Sequence, residues 1–252
     1  MIRYVWLDRP EKRNALRVAD LARLRLEVLA GVSDPTVAAV LIAGRGPTFC
    51  AGVDLNEFAS ATEESVAALI QELAALCAAV RTASKPVAAA VQGHCVGGAL
   101  EMAVCCDFRV CTPDAMFSMP EVAIGIPSVI DAALIERHIG LGRAREMILT
   151  ADAMSAEEAL SRGLVNRVVS RDQLLATTEE LLGRATRHHP GAIAVQKRLF
   201  EEWLDVPYSA GLESSARALA ESFRDGVPQE RARRMIQRGV GARSNVDGSS
   251  PK

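Results

Sequence analysis

Two kinds of apolar pattern alternate along the first half of the chain. Residues 2–7 can form a strand, which Asp8-Arg9-Pro10 ends, and Glu11-Lys12-Arg13-Asn14 is a polar turn. Residues 17–30 then carry Leu21, Leu24 and Val28 at helical spacing, which predicts an amphipathic helix closed by Gly31 and Asp34-Pro35. Residues 37–43 are a continuous apolar run of strand length, expected to be buried on both faces. Gly44-Arg45-Gly46-Pro47 turns the chain into a glycine element over residues 49–55, which opens a short helix. A longer helix is predicted over 62–82, with Leu69, Leu73 and Leu76 on one stripe, and Lys85-Pro86 breaks it. Strand 87–91 feeds a second glycine element at 92–98, followed by helix 98–106 and strand 107–111. One unit, strand to glycine turn to helix, thus occurs at least twice, which argues for an α/β fold.

Beyond Pro127 helices dominate, first over 129–139 and 143–150. Ser155-Ala156-Glu157-Glu158 reads as a capping box for another, and 164–169 as one more short strand. After His189-Pro190 the chain reads as helix, with breaks at Pro207 and near Gly226-Val227-Pro228. This shift divides the chain into a core over 1–190, a helical region over 191–242 and a polar tail over 243–252, the last expected to be disordered. The helical region is too small to bury its own apolar positions, such as Ile193, Leu199 and Leu204. It is therefore expected to pack against other copies of the chain.

Composition narrows the function classes. A net charge of −2 gives no general pull toward nucleic acid or anionic membrane. Aromatics at 4% provide few platforms for stacking bases. No apolar run reaches the length of about 18 residues that a membrane span needs. No signal peptide is recognised, so the six cysteines (50, 77, 95, 105, 106 and 111) are expected to be free buried thiols in a reducing cytoplasm. A metal site is not expected, because no CxxC occurs and His94 is the only histidine near them. Neither dinucleotide nor phosphate-loop fingerprints are present.

Candidate chemistry concentrates between Gln92 and Pro127. Gly97-Gly98 opens a helix whose first N–H groups have no intrahelical acceptor, and glycine lets another atom approach them closely. That suits an anion or a developing oxyanion. Glu101 lies just past the helix start and Glu121 follows beside Pro120. Two carboxylates near N–H donors can perform acid–base chemistry on a carbonyl compound. Taken singly, each piece is more often a packing glycine or a solvated glutamate.

Taken together, the motifs resemble the crotonase superfamily of enoyl-CoA hydratases and isomerases. The matching stretches are Arg9-Pro-Glu-Lys-Arg-Asn-Ala-Leu16, Gly44-Arg-Gly-Pro-Thr-Phe-Cys-Ala-Gly-Val-Asp-Leu55, Lys85-Pro86-Val87-Ala88-Ala89, Gln92-Gly93 through Gly97-Gly98-Ala99-Leu100-Glu101, Cys106-Asp107-Phe108-Arg109, and Pro120-Glu121 with Gly125-Ile126-Pro127. The resemblance implies a crotonase-like spiral of repeated ββα units with a C-terminal helical trimerisation region. It implies an acyl-CoA thioester substrate, with coenzyme A as part of the substrate and no further cofactor. It places the oxyanion hole at the N–H groups of Val53 and Gly98, and the substrate-binding stretch at Ala51, Val53, Asp54, Leu55, Gly97 and Gly98. Glu101 and Glu121 fall on the two hydratase glutamates, with Glu121 expected to protonate Cα and Glu101 to hold the water.

The leading reading is a 2-enoyl-CoA hydratase. A Δ3,Δ2-enoyl-CoA isomerase, or another acyl-CoA reaction on the same scaffold, is the alternative; an isomerase can work with one glutamate, so the presence of Glu101 favours hydration. A non-catalytic RNA-binding relative is a further alternative, motivated by Arg231, Arg233, Arg234, Arg238 and Arg243, although such a run is more often a solvated helix face. The chain departs from the family pattern in three places. Any N-terminal hairpin is short. Ser128-Val129-Ile130-Asp131 replaces a glycine-rich turn, with Asp131 half a helical turn too late to match branches that use an Asp there. The arginine-rich segment 223–237, beyond Phe223 at its start, lacks the Phe and Lys expected near an adenine pocket.

Overall fold

The computed structural model describes residues 1–244. The chain forms two compact units, one ending at Lys197 and the other beginning at Arg198.

The first unit is built on a five-stranded sheet. Strands β1 (Ile2–Leu7), β2 (Ala39–Gly44), β3 (Val87–Val91), β5 (Phe108–Cys111) and β8 (Arg167–Val168) lie in that spatial order, all parallel. A second sheet joins β4 (His94–Val96), β6 (Met116–Ser118) and β7 (Met154–Ser155), parallel between the first pair and antiparallel in the second. Two isolated parallel bridges, Leu16 with Val53 and Cys50 with Cys95, extend this second layer. Each turn of the chain therefore runs through the first sheet, the second layer and a helix. Those helices are α1 (Val18–Ser33), α3 (Glu63–Arg81) and α4 (Gly98–Val104), with the short α2 (Leu55–Ala59) preceding α3. The anticipated strand–turn–helix unit is a ββα unit whose second strand has shrunk to one to three residues. So short a strand shows no period-two pattern, which is why it reads as a turn in the sequence.

Burial follows the periodicity. On β2, Val40 and Ile42 face the cluster formed by Leu21, Leu24, Leu73, Leu76 and Val80 from α1 and α3. Ala39, Leu41 and Ala43 face the other way, with Ala88 and Ala90 of β3, against Leu174 and Leu182. The latter two belong to α8 (Leu174–Thr186), which closes the second face of the sheet. Four alanines on that face leave room for a helix to approach closely. Both faces of β2 are buried, as its unbroken apolar run predicts.

After β6 come α5 (Ala132–Ile139), α6 (Leu141–Thr150) and α7 (Ala156–Arg162). Helix α5 starts three residues later than its apolar pattern suggests, because the chain stays irregular through Ile130, whose φ is +55°. Ser155 caps α7 by accepting from Glu158 N at 3.2 Å, but the Glu158 carboxylate is drawn instead to Arg143 and Arg162, so the box closes on one side only.

Helix α9 (Pro190–Asp205) leads into the second unit, which continues with α10 (Tyr208–Ser222) and α11 (Val227–Ser244). The breaks lie at Pro207 and before Pro228, as read from the sequence. Trp203 Nε1 donates to Ser215 Oγ at 3.1 Å, beside an apolar groove of about 510 Å³ lined by Trp203, Val206, Tyr208 and Leu212. Of the arginine run, Arg233 and Arg234 pair with Glu230 on their own helix and are exposed. The side chains of Arg238 and Arg243 lie outside the described residues, as does the tail from 245 on; residues 243 and 244 end α11.

Candidate active site

The loop over 45–55 is held by two polar residues of the preceding turn. Asn14 and Arg13 adopt left-handed backbone conformations. Buried Asn14 donates its amide to the carbonyls of Arg45, Thr48 and Phe49 at 2.8–3.0 Å and accepts from Arg9 N at 2.9 Å. Arg9 in turn reaches Asp20 at 3.3 Å and Asp54 at 3.2 Å. Asp54 also caps α2, accepting from Asn56 N and Nδ2, and these donors hold its carboxyl below the ordinary range. Asp54 is thus committed to the scaffold and stands outside the cavity lining, whereas Ala51, Val53 and Leu55 line the cavity.

Val53 presents its N–H by ladder geometry. Leu16 N donates to Gly52 O and Asp54 N donates to Leu16 O, at 2.8 and 2.9 Å. In a parallel bridge the residue between those partners turns its own N–H to the opposite side, so that of Val53 points away from Leu16. Gly52 makes the turn possible with φ +89°, and a Cβ there would lie 2.8 Å from Val96 O.

Across the cavity, Gly97 has φ +55°, and Gly98 begins α4, so the Gly98 N–H is one of the helix's unsatisfied donors. A side chain at Gly97 would collide with Glu121 Oε1; the carboxylate therefore lies directly over this glycine. Val53, Gly97, Gly98, Glu101 and Glu121 line one cavity of about 250 Å³, whose remaining wall includes Phe58, Ile70 and Ile126. Every site residue expected from the sequence except Asp54 meets there.

The two carboxylates differ in environment. Glu101 is 3% exposed, its Oε1 has no hydrogen-bond partner among the described residues, and its pKa is pushed up from 4.5 to about 8. Burial is the main cause, followed by repulsion from Glu121 and then from Asp131. Glu121 is only half-buried and its pKa is raised by burial, against which its own backbone N–H and then the hydroxyl of Ser128, donating to Oε2 at 3.0 Å, favour the anion. Perturbed neighbouring acids in a cleft mark acid–base sites.

Helix α4 is anchored at its far end by Arg109 of β5. This guanidinium, 3% exposed, donates to the carbonyls of Ala103, Val104 and Cys106 at 2.5–3.4 Å and to Leu164 O at 2.5 Å. A cation on the free carbonyls of a helix C-terminus satisfies them and complements the dipole. Asp107 accepts from Val87 N at 2.7 Å and from Lys197 Nζ at 2.5 Å. The Cys106–Arg109 motif thus fixes the helix that carries Glu101. The sequence of that motif carries no such role by itself, because nothing local in it reveals which carbonyls Arg109 meets.

All six cysteines are buried and free. Cys77, Cys105 and Asp131 bring one donor atom each within 4.8 Å of one another. Asp131 is engaged by Arg81 at 3.7 Å and by Cys105 Sγ at 3.3 Å, which keeps this carboxylate on a structural pairing.

A model of the enoyl-CoA hydratase/isomerase family matches residues 1–235. The chain is 33% identical over 228 residues to a crotonyl-CoA hydratase of Syntrophomonas wolfei, covering 88% of this chain and 86% of that protein. It is 34% identical over 208 residues to a 2,3-dehydroadipyl-CoA hydratase of Escherichia coli, covering 82% and 80%. Among solved structures, an enoyl-CoA hydratase of Mycobacterium smegmatis superposes with a TM-score of 0.89 at 28% identity, covering 94% of this chain and 93% of the other.

Proposed function

The chain belongs to the enoyl-CoA hydratase/isomerase family, and from that premise we propose that it is a 2-enoyl-CoA hydratase, a lyase acting on an acyl-CoA thioester. The observation that carries this reading is the meeting of Glu101 and Glu121 in one cavity with the outward N–H groups of Val53 and Gly98. The thioester oxygen lies between those two donors, where negative charge builds as the enolate forms. Each such donor is typically worth about 2.7–4 kcal/mol in the transition state. The apolar wall takes the acyl group. Asp54 serves from behind, through Arg9 and the α2 cap, by holding Val53 in place.

Hydration places OH on Cβ and H on Cα, so one carboxyl must be neutral and the other ionised. A single proton shared by the pair supplies that state, and such a pair titrates as a unit. In the free protein this proton rests on Glu101, the more strongly raised of the two. With Glu121 as donor at Cα and Glu101 as the water's base, the proton first crosses to Glu121 through the bound water. Glu101 then takes a proton from the water as its oxygen attacks Cβ, Glu121 gives its proton to Cα, and the pair again holds one. Addition of water transfers no net electrons, so no cofactor beyond the substrate's coenzyme A is assigned.

The protein assembles as a homotrimer or a dimer of trimers, supported by exposed Phe200, Trp203, Leu212, Leu219 and Phe223 on its second unit. It works in the cytoplasm, supported by six unpaired thiols; among the described residues no helix is long and apolar enough to cross a membrane. The deciding experiment follows loss of 2-enoyl-CoA absorbance and, in parallel, isomerisation of 3-enoyl-CoA. Glu121→Gln should depress hydration by about a hundredfold or more, the scale of lost acid–base catalysis. A wild type that isomerises well and hydrates poorly, with isomerisation surviving Glu101→Gln, refutes the hydratase reading.

A further inference from the structure

The turn that departs from the family pattern touches the catalytic pair. Ser128 Oγ donates to Glu121 Oε2 at 3.0 Å, while Glu121 Oε1 lies over Gly97, one residue from the Gly98 donor. We propose that Ser128 is a positioning residue of the hydration reaction: by occupying Oε2, its hydroxyl fixes the orientation of the Glu121 carboxyl and confines the transferable proton to Oε1, the oxygen that faces the substrate. This rests on the hydratase reading and assigns a further residue to the same site.

The chemistry follows from the bond. A carboxyl whose Oε2 accepts a hydrogen bond favours the form with its own proton on Oε1, because the carbonyl oxygen of a neutral carboxyl is a better acceptor than its hydroxyl oxygen. When Glu121 passes that proton to Cα, a carboxylate remains, and a hydrogen bond to an ionised group is stronger than one to its neutral form. The same hydroxyl therefore aims the acid and stabilises what it becomes. It also separates the two glutamates. Glu101 of α4 faces Glu121 with no comparable donor on its Oε1 among the described residues, and Asp131, itself paired with Arg81 of α3, faces Glu101. Without Ser128, Glu121 would compete with Glu101 for the shared proton, and its carboxyl could rotate away from Gly97.

The test compares Ser128→Ala and Ser128→Thr with wild type. Alanine removes one hydroxyl from a turn, and threonine restores it. For Ser128→Ala, kcat should fall by about tenfold or more, the loss expected for a hydrogen bond to a charged group, with KM within about twofold. The acidic limb of the kcat/KM profile should move to higher pH, because Glu121 holds its proton more tightly, and Ser128→Thr should recover both. An unmoved limb with unchanged kcat overturns the inference. A second measurement needs no turnover: the side-chain carboxyl of Glu121, assigned with Glu121→Gln, is titrated by carbon NMR in wild type and Ser128→Ala. An unshifted titration overturns Ser128's hold on Glu121. An upward shift sustains that hold even if wild type hydrates no enoyl-CoA, an outcome that would sink the hydratase reading alone.

Discussion

Replacing Glu101 with glutamine should cost activity and raise stability, and the gain should grow with pH. Glu101 is 3% exposed and its pKa lies near 8, against 4.5 for an ordinary glutamate. Because the folded-state value is raised, the folded protein binds this proton more tightly than the unfolded chain. Stability from Glu101 is fully present below pH 4.5 and is lost as pH rises to about 8. At about 1.36 kcal/mol per pH unit, the wild type forfeits roughly 2 kcal/mol by pH 6 and roughly 5 kcal/mol above pH 8. Glutamine stays neutral throughout and escapes this loss. Urea unfolding of both proteins, at one protein concentration and at about pH 5, 7 and 9, reads the difference directly. Glu101→Gln should unfold near wild-type denaturant at the lowest pH and at clearly higher denaturant at the highest. Hydration should drop by about a hundredfold, and wild-type hydration should itself decline above about pH 8 as the shared proton leaves. A stability difference that does not change with pH would refute the account of Glu101 as a proton-holding buried acid.

Three further outcomes follow from the same geometry. Gly98→Pro removes one oxyanion donor and brings a Cβ to 2.7 Å from Leu73 Cδ2, which must shift; turnover should fall by at least about a hundredfold, and far-ultraviolet circular dichroism checks that the fold is retained, while near-normal rates would move carbonyl activation elsewhere. Arg109→Met strands four carbonyls around the end of α4 and should lower unfolding free energy by roughly 3 kcal/mol or more, with Arg109→Lys intermediate by the same urea measurement. Sedimentation at micromolar concentration should give a trimer or hexamer, and a stable monomer would refute the assignment of the exposed apolar helices to subunit contacts.

The sequence by itself determined the order and type of the long elements. Unbroken apolar runs at residues 37–43 and 87–91 and the leucine stripes of α1 and α3 are local signals, and each formed the element its period predicts. Resemblance over several motifs brings Glu101, Glu121, Val53 and Gly98 to one site, and all four line one cavity. What the tertiary structure alone decided is everything that depends on atoms distant in the chain. The second strand of each ββα unit is one to three residues long, down to the single bridge of Leu16 with Val53, too short to leave a pattern. Asp54 reads as part of a binding loop, yet Arg9, 45 residues away, claims it for the scaffold. Arg109 reads as a polar residue at a strand, and only packing shows it holding the end of α4. Ser128 reads as a departure from a glycine-rich turn, and only the fold sets it on Glu121. The charge state of Glu101 comes last, because it is set by burial and by two other carboxylates that folding brings near it. Periodicity is a property of neighbours in sequence, whereas desolvation and hydrogen bonding are properties of neighbours in space.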